Sequence, residues 1–321
     1  MDHPPDWDKY YSFYFELPME LGSLRNLAKN LKSEALRSLA QTFLENAESA
    51  AGIVALPLWF AQQTAERFEF NEFFVVRLVE SLMLSRGREP EEIKPLRSQE
   101  IAQEWNNQRD PDSEALKTRV RRELRDSLAG PGPQNAFRSL LLSMVSGLWT
   151  AFEVLATDLW VSAVNAYPHV YAGRCLARAE RGRDSEDLDG KHVSVRLLSR
   201  YGFDLRQKLG EILRPKFDFT CLSGQFRAFI AAFGREGELE STFADASLNE
   251  LEATRHVIVH RAAVADEEFV RRTGFGNPLG IKIQIEPTKA VSLLNTVLLA
   301  GCNLLKFVDE RLESQSRVPS V

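Results

Sequence analysis

Apolar residues at positions 21, 24, 27, 31, 35, 39 and 43 recur every three or four places and predict a helix starting at Leu21. A second apolar stretch runs from Ile53 to Leu84 and contains Pro57. An interior proline removes a backbone donor, so a break is expected there, with a buried helix over Phe68 to Leu84. Residues 86–95 carry the loop composition of glycine, proline and charge. A mostly polar helical region follows over 97–128, interrupted at Asp110-Pro111-Asp112. Ala129-Gly130-Pro131-Gly132-Pro133 has the composition of a linker and predicts a domain boundary. Beyond it, Leu141, Met144, Val145, Leu148, Phe152, Leu155 and Leu159 give a wide apolar face to a long helix, Asn135 to about Ala166, stopped by Pro168. Further helices are expected over His192–Leu213 and Leu222–Phe233, with a charged loop over 171–191 and a turn at Gly234-Arg235-Glu236-Gly237. Ser247, with Glu250 three residues on, has capping-box spacing and predicts a helix start. Residues 273–280 predict a loop and Ile281–Ile285 alternates as a strand does, before a last helix over Thr288–Leu312. The pattern is that of a mainly α chain in two parts, an N-terminal helical region (1–130) and a C-terminal helical domain (135–315).

The chain has 321 residues, enough for one large or two ordinary domains. A net charge of −5 argues against binding polyanions by bulk electrostatics, so any such contact requires a local basic patch. Cys175, Cys221 and Cys302 lie far apart, are odd in number and lack CxxC spacing, which predicts neither a disulfide framework nor a zinc ribbon and suits a reducing cytoplasm. The polar N-terminus lacks a secretory h-region, and Ser, Glu and Asp break the apolar segment 139–164, so no membrane association is expected. Aromatic residues crowd the first 15 positions (Trp7, Tyr10, Tyr11, Phe13, Tyr14, Phe15), as in a segment docked on the body. Lys117, Arg119, Arg121, Arg122 and Arg125 interleave with Glu114, Glu123 and Asp126, the pattern of a solvated face more than of a phosphate-contacting stripe.

One stretch stands apart. Arg255-His256-Val257-Ile258-Val259-His260 packs an arginine and two of the five histidines around a β-branched apolar run. On a helix, His256 and His260 share a face about 40° apart, while Arg255 stands about 140° from His260. Arginine at a helix bend, or a site shared between two chains, brings the three together. The chemistry that suits this set is RNA cleavage by attack of a ribose 2′-hydroxyl. Histidine ordinarily titrates near neutral pH and serves as base and acid. Arginine matches a phosphate with two parallel hydrogen bonds. No metal and no cofactor is required.

Arg255 to His260 resembles the R-X4-H signature of the HEPN superfamily, with His256 as the polar residue that follows the arginine. The segment Asn135 to Pro168, with Phe152-Glu153 and Asp158-Leu159, is similar to the long first helix of such domains. Phe217 to Phe233 and the run His260-Arg261 through Asp266-Glu267-Glu268-Phe269 are similar to bacterial HEPN proteins of the RiboL-PSP kind. The resemblance covers roughly 135–315. It implies a helical bundle that dimerises into one composite active site and a metal-independent endoribonuclease leaving 2′,3′-cyclic phosphate ends. It further implies a toxin or antiphage-defence effector with an antitoxin or sensor partner. In these terms Arg255 stabilises the scissile phosphate, His260 transfers protons and His256 assists; Arg261 and Glu153 are candidate substrate contacts. Ala262 stands where the subtype controlled by tyrosine modification carries a tyrosine, so that control is not implied.

Two other readings compete. The same fold can serve as a non-catalytic RNA- or nucleotide-binding or dimerising module. Glu252, His256 and His260 recur at i, i+4 and i+8 and suggest a metal site. That stripe drifts by about 40° per step and is flanked by Arg255 and Arg261, which disfavours a cation.

Overall fold

A computed structural model describes residues 21–85, 98–111, 113–179, 199–205, 207–274 and 279–317. Among them 83% are helical and no strand forms, a mainly α fold. The helices are α1 (Leu21–Asn30), α2 (Glu34–Ser85), α3 (Ser98–Gln108), α4 (Glu114–Ser127), α5 (Pro131–Ala166), α6 (Pro168–Ala179), α7 (Leu209–Leu213), α8 (Leu222–Phe233), α9 (Gly237–Phe243), α10 (Ala246–Arg261), α11 (Glu267–Thr273) and α12 (Pro287–Ser316). The aromatic segment 1–15, the loop 86–95 and the first part (192–198) of the helix expected over His192–Leu213 lie outside the described residues. Of the described rest only 199–200 and Leu209–Leu213 are α-helical, because the positive φ of Gly202 and Phe203 turns the chain between them.

The chain divides into two units, one containing Val54–Phe137, the other joining the described part of 15–53 to 138–317. The division does not follow the expected boundary at 129–133, and α2 and α5 each contribute to both units. Two local predictions fail, each at a proline that a helix accommodates. Pro131 and Pro133 form the first turn of α5, where a missing N–H costs nothing, and Gly130 supplies the positive φ of 95° before it. Pro57 sits inside α2, which runs on through it. The preceding turns carry the buried Ala47, Ala50, Ala51 and Val54, whose packing outweighs the lost hydrogen bond.

In the unit containing Val54–Phe137, Trp105 of α3 packs edge-on against Phe70 and tilted against Phe73. Arg77 pairs with Glu80 and Glu104, and Arg119 with Glu72 at 3.0 Å. The arginines of α4 are thus partly consumed by carboxylates. Phe68 to Leu84 is helical as expected but not buried: Phe68, Val75, Val76, Val79, Leu82 and Met83 are 42–68% exposed.

The second unit holds the functional candidates. Its core is built on α5, whose Trp149, Phe152, Leu159 and Trp160 are fully enclosed. The Trp160 indole donates to the Ala228 carbonyl at 2.8 Å and packs edge-on against Phe217 and Phe219. Tyr171 of α6 packs at a tilt against Phe233 of α8, which meets Phe307 of α12 edge-on. Gly301 lets α12 approach α2, since a Cβ there would stand 2.3 Å from the Phe43 ring. α5 and α12 are also long and apolar enough to cross a membrane by length and composition, unlike the expectation from the sequence, and 56% of each apolar window is buried against protein.

Part of the charged stretch expected as a loop, Tyr171–Ala179, lies within α6, because Pro168 ends α5 and then opens a new helix. The turn expected at 234–237 is followed by a helix, α9, that the pattern did not announce. The expected strand at 281–285 is reduced to one bridge between Val264 and Lys282, framed by Ile283 N–H to Ala263 O at 2.7 Å and Ala265 N–H to Ile281 O at 2.9 Å. The alternation holds from 282 on, with Ile283 and Ile285 buried between the exposed Lys282, Gln284 and Glu286, while Ile281 is exposed; among the described residues no longer partner extends the ladder.

Candidate functional site

The site is the C-terminal half of α10. Asp245, not Ser247, caps this helix: its carboxylate accepts from Leu248 N–H at 2.8 Å. Both residues are competent caps, and the earlier one gains two further helical residues. Glu250, expected to close a capping box, pairs instead with Lys289 of α12. At the other end Ala262 and Ala263 both adopt left-handed φ (50° and 63°), and the Ala263 N–H returns to the Val257 carbonyl at 3.0 Å. The Ala262 N–H reaches the same carbonyl, and together they close the helix end with alanine in left-handed positions where glycine is usual.

The β-branched run does not enter the core as a block. Val257 is buried, Ile258 half-buried and Val259 50% exposed, as a helix distributes three consecutive residues. Val257 and Ala253 join Ala263, Ala265, Phe269 and Ile283 in a small cluster, with Leu142 of α5 packed against it. This cluster fixes the end of α10 against α11 and the 281–285 segment.

On the outer side, the rings of His256 and His260 are exposed, with centres 4.8 Å apart and planes inclined by 46°. The i, i+4 spacing therefore delivers two adjacent imidazoles. Arg255 lies on the flank of this pair and is half-buried; its Nε is enclosed and has no hydrogen-bond partner. A buried donor left open costs about 1–3 kcal/mol unless something accepts from it, a state that the Nε of Arg255 shares with that of Arg77. Arg261 is exposed and reaches Asp266, the N-cap of α11, at 3.5 Å. The last turn carries two basic residues, His260 and Arg261, and the arginine charge suits the negative end of the helix dipole.

Glu153 is not drawn to this group by any described contact. It accepts the Trp149 indole N–H at 3.0 Å, within its own helix. It lies 11 residues beyond Leu142, the α5 contact of the motif cluster, or about 16 Å along the helix axis. Glu252 is bonded to Arg272 and to the Leu222 N–H, with no described contact to either imidazole. The i, i+4, i+8 stripe therefore does not present three converging donors. Sequence spacing missed Arg272, because its link to Glu252 crosses 20 residues and depends on the fold of α11 over α10. Comparison with protein-family models, curated proteins and solved structures finds no match.

Proposed function

We propose that this chain is a metal-independent endoribonuclease of the HEPN kind, cutting RNA by internal attack of the 2′-hydroxyl. The observation that carries the reading is the exposed His256–His260 pair beside an arginine whose Nε lacks a partner. One imidazole takes the 2′-OH proton and the other returns a proton to the leaving 5′-oxygen, while Arg255 neutralises the charge that gathers on phosphorus oxygens. His260 is assigned the main proton transfer, His256 the assisting role, and Arg261 an outer phosphate contact. The resemblance of the R-X4-H motif supports these assignments. It also supports a homodimer with a composite site, a role as a toxin or defence effector with an antitoxin or sensor partner, and action in the cytoplasm. The exposed Val259, Val264 and Ile281 bordering the motif favour self-association at this face.

That same border favours a second reading, a module that binds RNA or a nucleotide, or only dimerises, without cleavage. Incubation of the wild type and Arg255→Ala with cellular RNA in EDTA separates them. Cleavage by the wild type alone, leaving 2′,3′-cyclic phosphate ends, is expected. Equal RNA binding without cleavage by either sinks the ribonuclease reading.

A further inference from the structure

Glu252 stands one turn before Arg255 and His256 on α10. At spacings of three and four residues, a glutamate is the natural ion-pair partner of both. It is not used in that way. One carboxylate oxygen takes the Arg272 guanidinium and the other accepts the Leu222 N–H at 3.3 Å. Arg272 itself is anchored by donating to the Asn249 carbonyl at 3.2 Å. The pair is enclosed, with side chains 14% and 24% exposed, so its attraction is less screened than on an open surface. Two further elements, α8 through Leu222 and α11 through Arg272, thus hold this carboxylate in contacts other than Arg255 and His256.

We propose that Arg272 is a positioning residue for the Arg255–His260 cluster: by retaining Glu252 it keeps Arg255 and His256 clear of an internal anion and open to an external phosphate. The identity of that phosphate as part of RNA rests on the ribonuclease reading above. The physical basis is competition. A carboxylate on the same helix is present at high effective concentration and outcompetes a weakly bound ligand for the same cations. Removing the arginine leaves a largely enclosed negative charge, which Arg255 and His256, three and four residues on along the helix, are spaced to relieve. The unpartnered Nε of Arg255 is consistent with a guanidinium that Glu252 does not occupy.

The test uses the full-length protein with Arg272→Gln, Glu252→Gln and the double variant. Inorganic phosphate is titrated against the ring-proton NMR signals of His256 and His260, and RNA cleavage is measured as kcat/KM. Arg272→Gln is expected to weaken both phosphate binding and kcat/KM by about tenfold or more. Glu252→Gln alone is expected to retain wild-type values, because its amide oxygen still accepts from Leu222. The double variant is expected to return both readouts to within about threefold of the wild type, which a merely structural role of Arg272 would not do. A folded Arg272→Gln that binds phosphate normally, a double variant as weak as Arg272→Gln, or a wild type whose histidine signals ignore phosphate overturns the proposal. Should Arg272→Gln fail to fold, the double variant decides, and a tenfold loss of phosphate affinity there overturns it. A wild type that responds to phosphate but cuts no RNA removes the ribonuclease reading alone.

Discussion

His256 and His260 stand one turn apart on the exposed side of α10, ring centres separated by 4.8 Å. Neither imidazole is enclosed, so neither is required for packing. His260→Ala is expected to lower RNA cleavage by on the order of 100-fold or more, the usual scale for a lost acid–base group, with stability within about 0.5 kcal/mol of the wild type. Parallel cleavage assays and thermal melts check this; an active or an unfolded variant removes His260 from the site.

Val259 lies between the two histidines in sequence and is 50% exposed. If the motif face pairs two copies, Val259→Glu buries a charge at that contact and dissociates the dimer. Light scattering should then report one copy for Val259→Glu and two for the wild type, with cleavage lost together with the dimer. A wild-type monomer that remains active would exclude a composite site.

The Asp309 carboxylate, 7% exposed, accepts from the backbone N–H groups of Lys32 (3.2 and 3.1 Å) and Ser33 (3.2 Å). It thus caps the start of α2 from α12. Asp309→Ala leaves those donors unsatisfied and is expected to cost about 1–3 kcal/mol in urea unfolding, far more than a surface substitution. A change below about 0.5 kcal/mol would show that the contact is not formed in solution.

Gly301 and Gly224 permit close approaches of a different kind. A Cβ at 301 would meet the buried Phe43 ring, and one at 224 would stand 1.8 Å from the Asp218 carbonyl oxygen. Gly301→Ala is expected to destabilise by about 1–3 kcal/mol, because the ring has little room to retreat. Gly224→Ala should be at least as damaging, since backbone must move. Denaturant midpoints measure both.

Asp218 and Asp158 predict opposite responses to pH. Hydrogen bonds from the Thr220 hydroxyl (2.6 Å) and N–H (2.9 Å) hold the Asp218 carboxyl below the usual range. Its contribution is present above the ordinary carboxylate value and is lost as pH falls through the lower folded value. Thr220→Val should therefore soften the acid loss of stability. Burial pushes the Asp158 carboxyl up, against the opposing charge of Arg214. Here the fold favours the protonated form, so stability declines as pH rises from the ordinary value through the raised one. Asp158→Asn should melt higher than the wild type near neutrality and equal it below about pH 3, where both forms are neutral. An unchanged difference across pH would contradict this assignment.

Much of this molecule was legible from local chemistry. The helical period, the α8 boundaries and the exposed, adjacent placement of His256 and His260 follow from side-chain spacing along one chain segment, because a helix turns residues i and i+4 to the same side whatever surrounds it. What depended on distant neighbours was not legible. Proline at 57 survives because packed alanines hold its helix, and proline at 131 and 133 opens a helix where a linker was expected. The strand pattern at 281–285 was correct in its alternation from 282 on but met only a single bridge to Val264 among the described residues. The Phe68–Leu84 stretch was correct as helix and wrong as core, because apolarity does not state what covers a face. Above all, the sequence determined that Arg255, His256 and His260 share one helix. Only the tertiary structure decided that Glu252, equally near them, belongs to Arg272, since an ion pair is chosen by distance and enclosure in three dimensions and not by position along the chain.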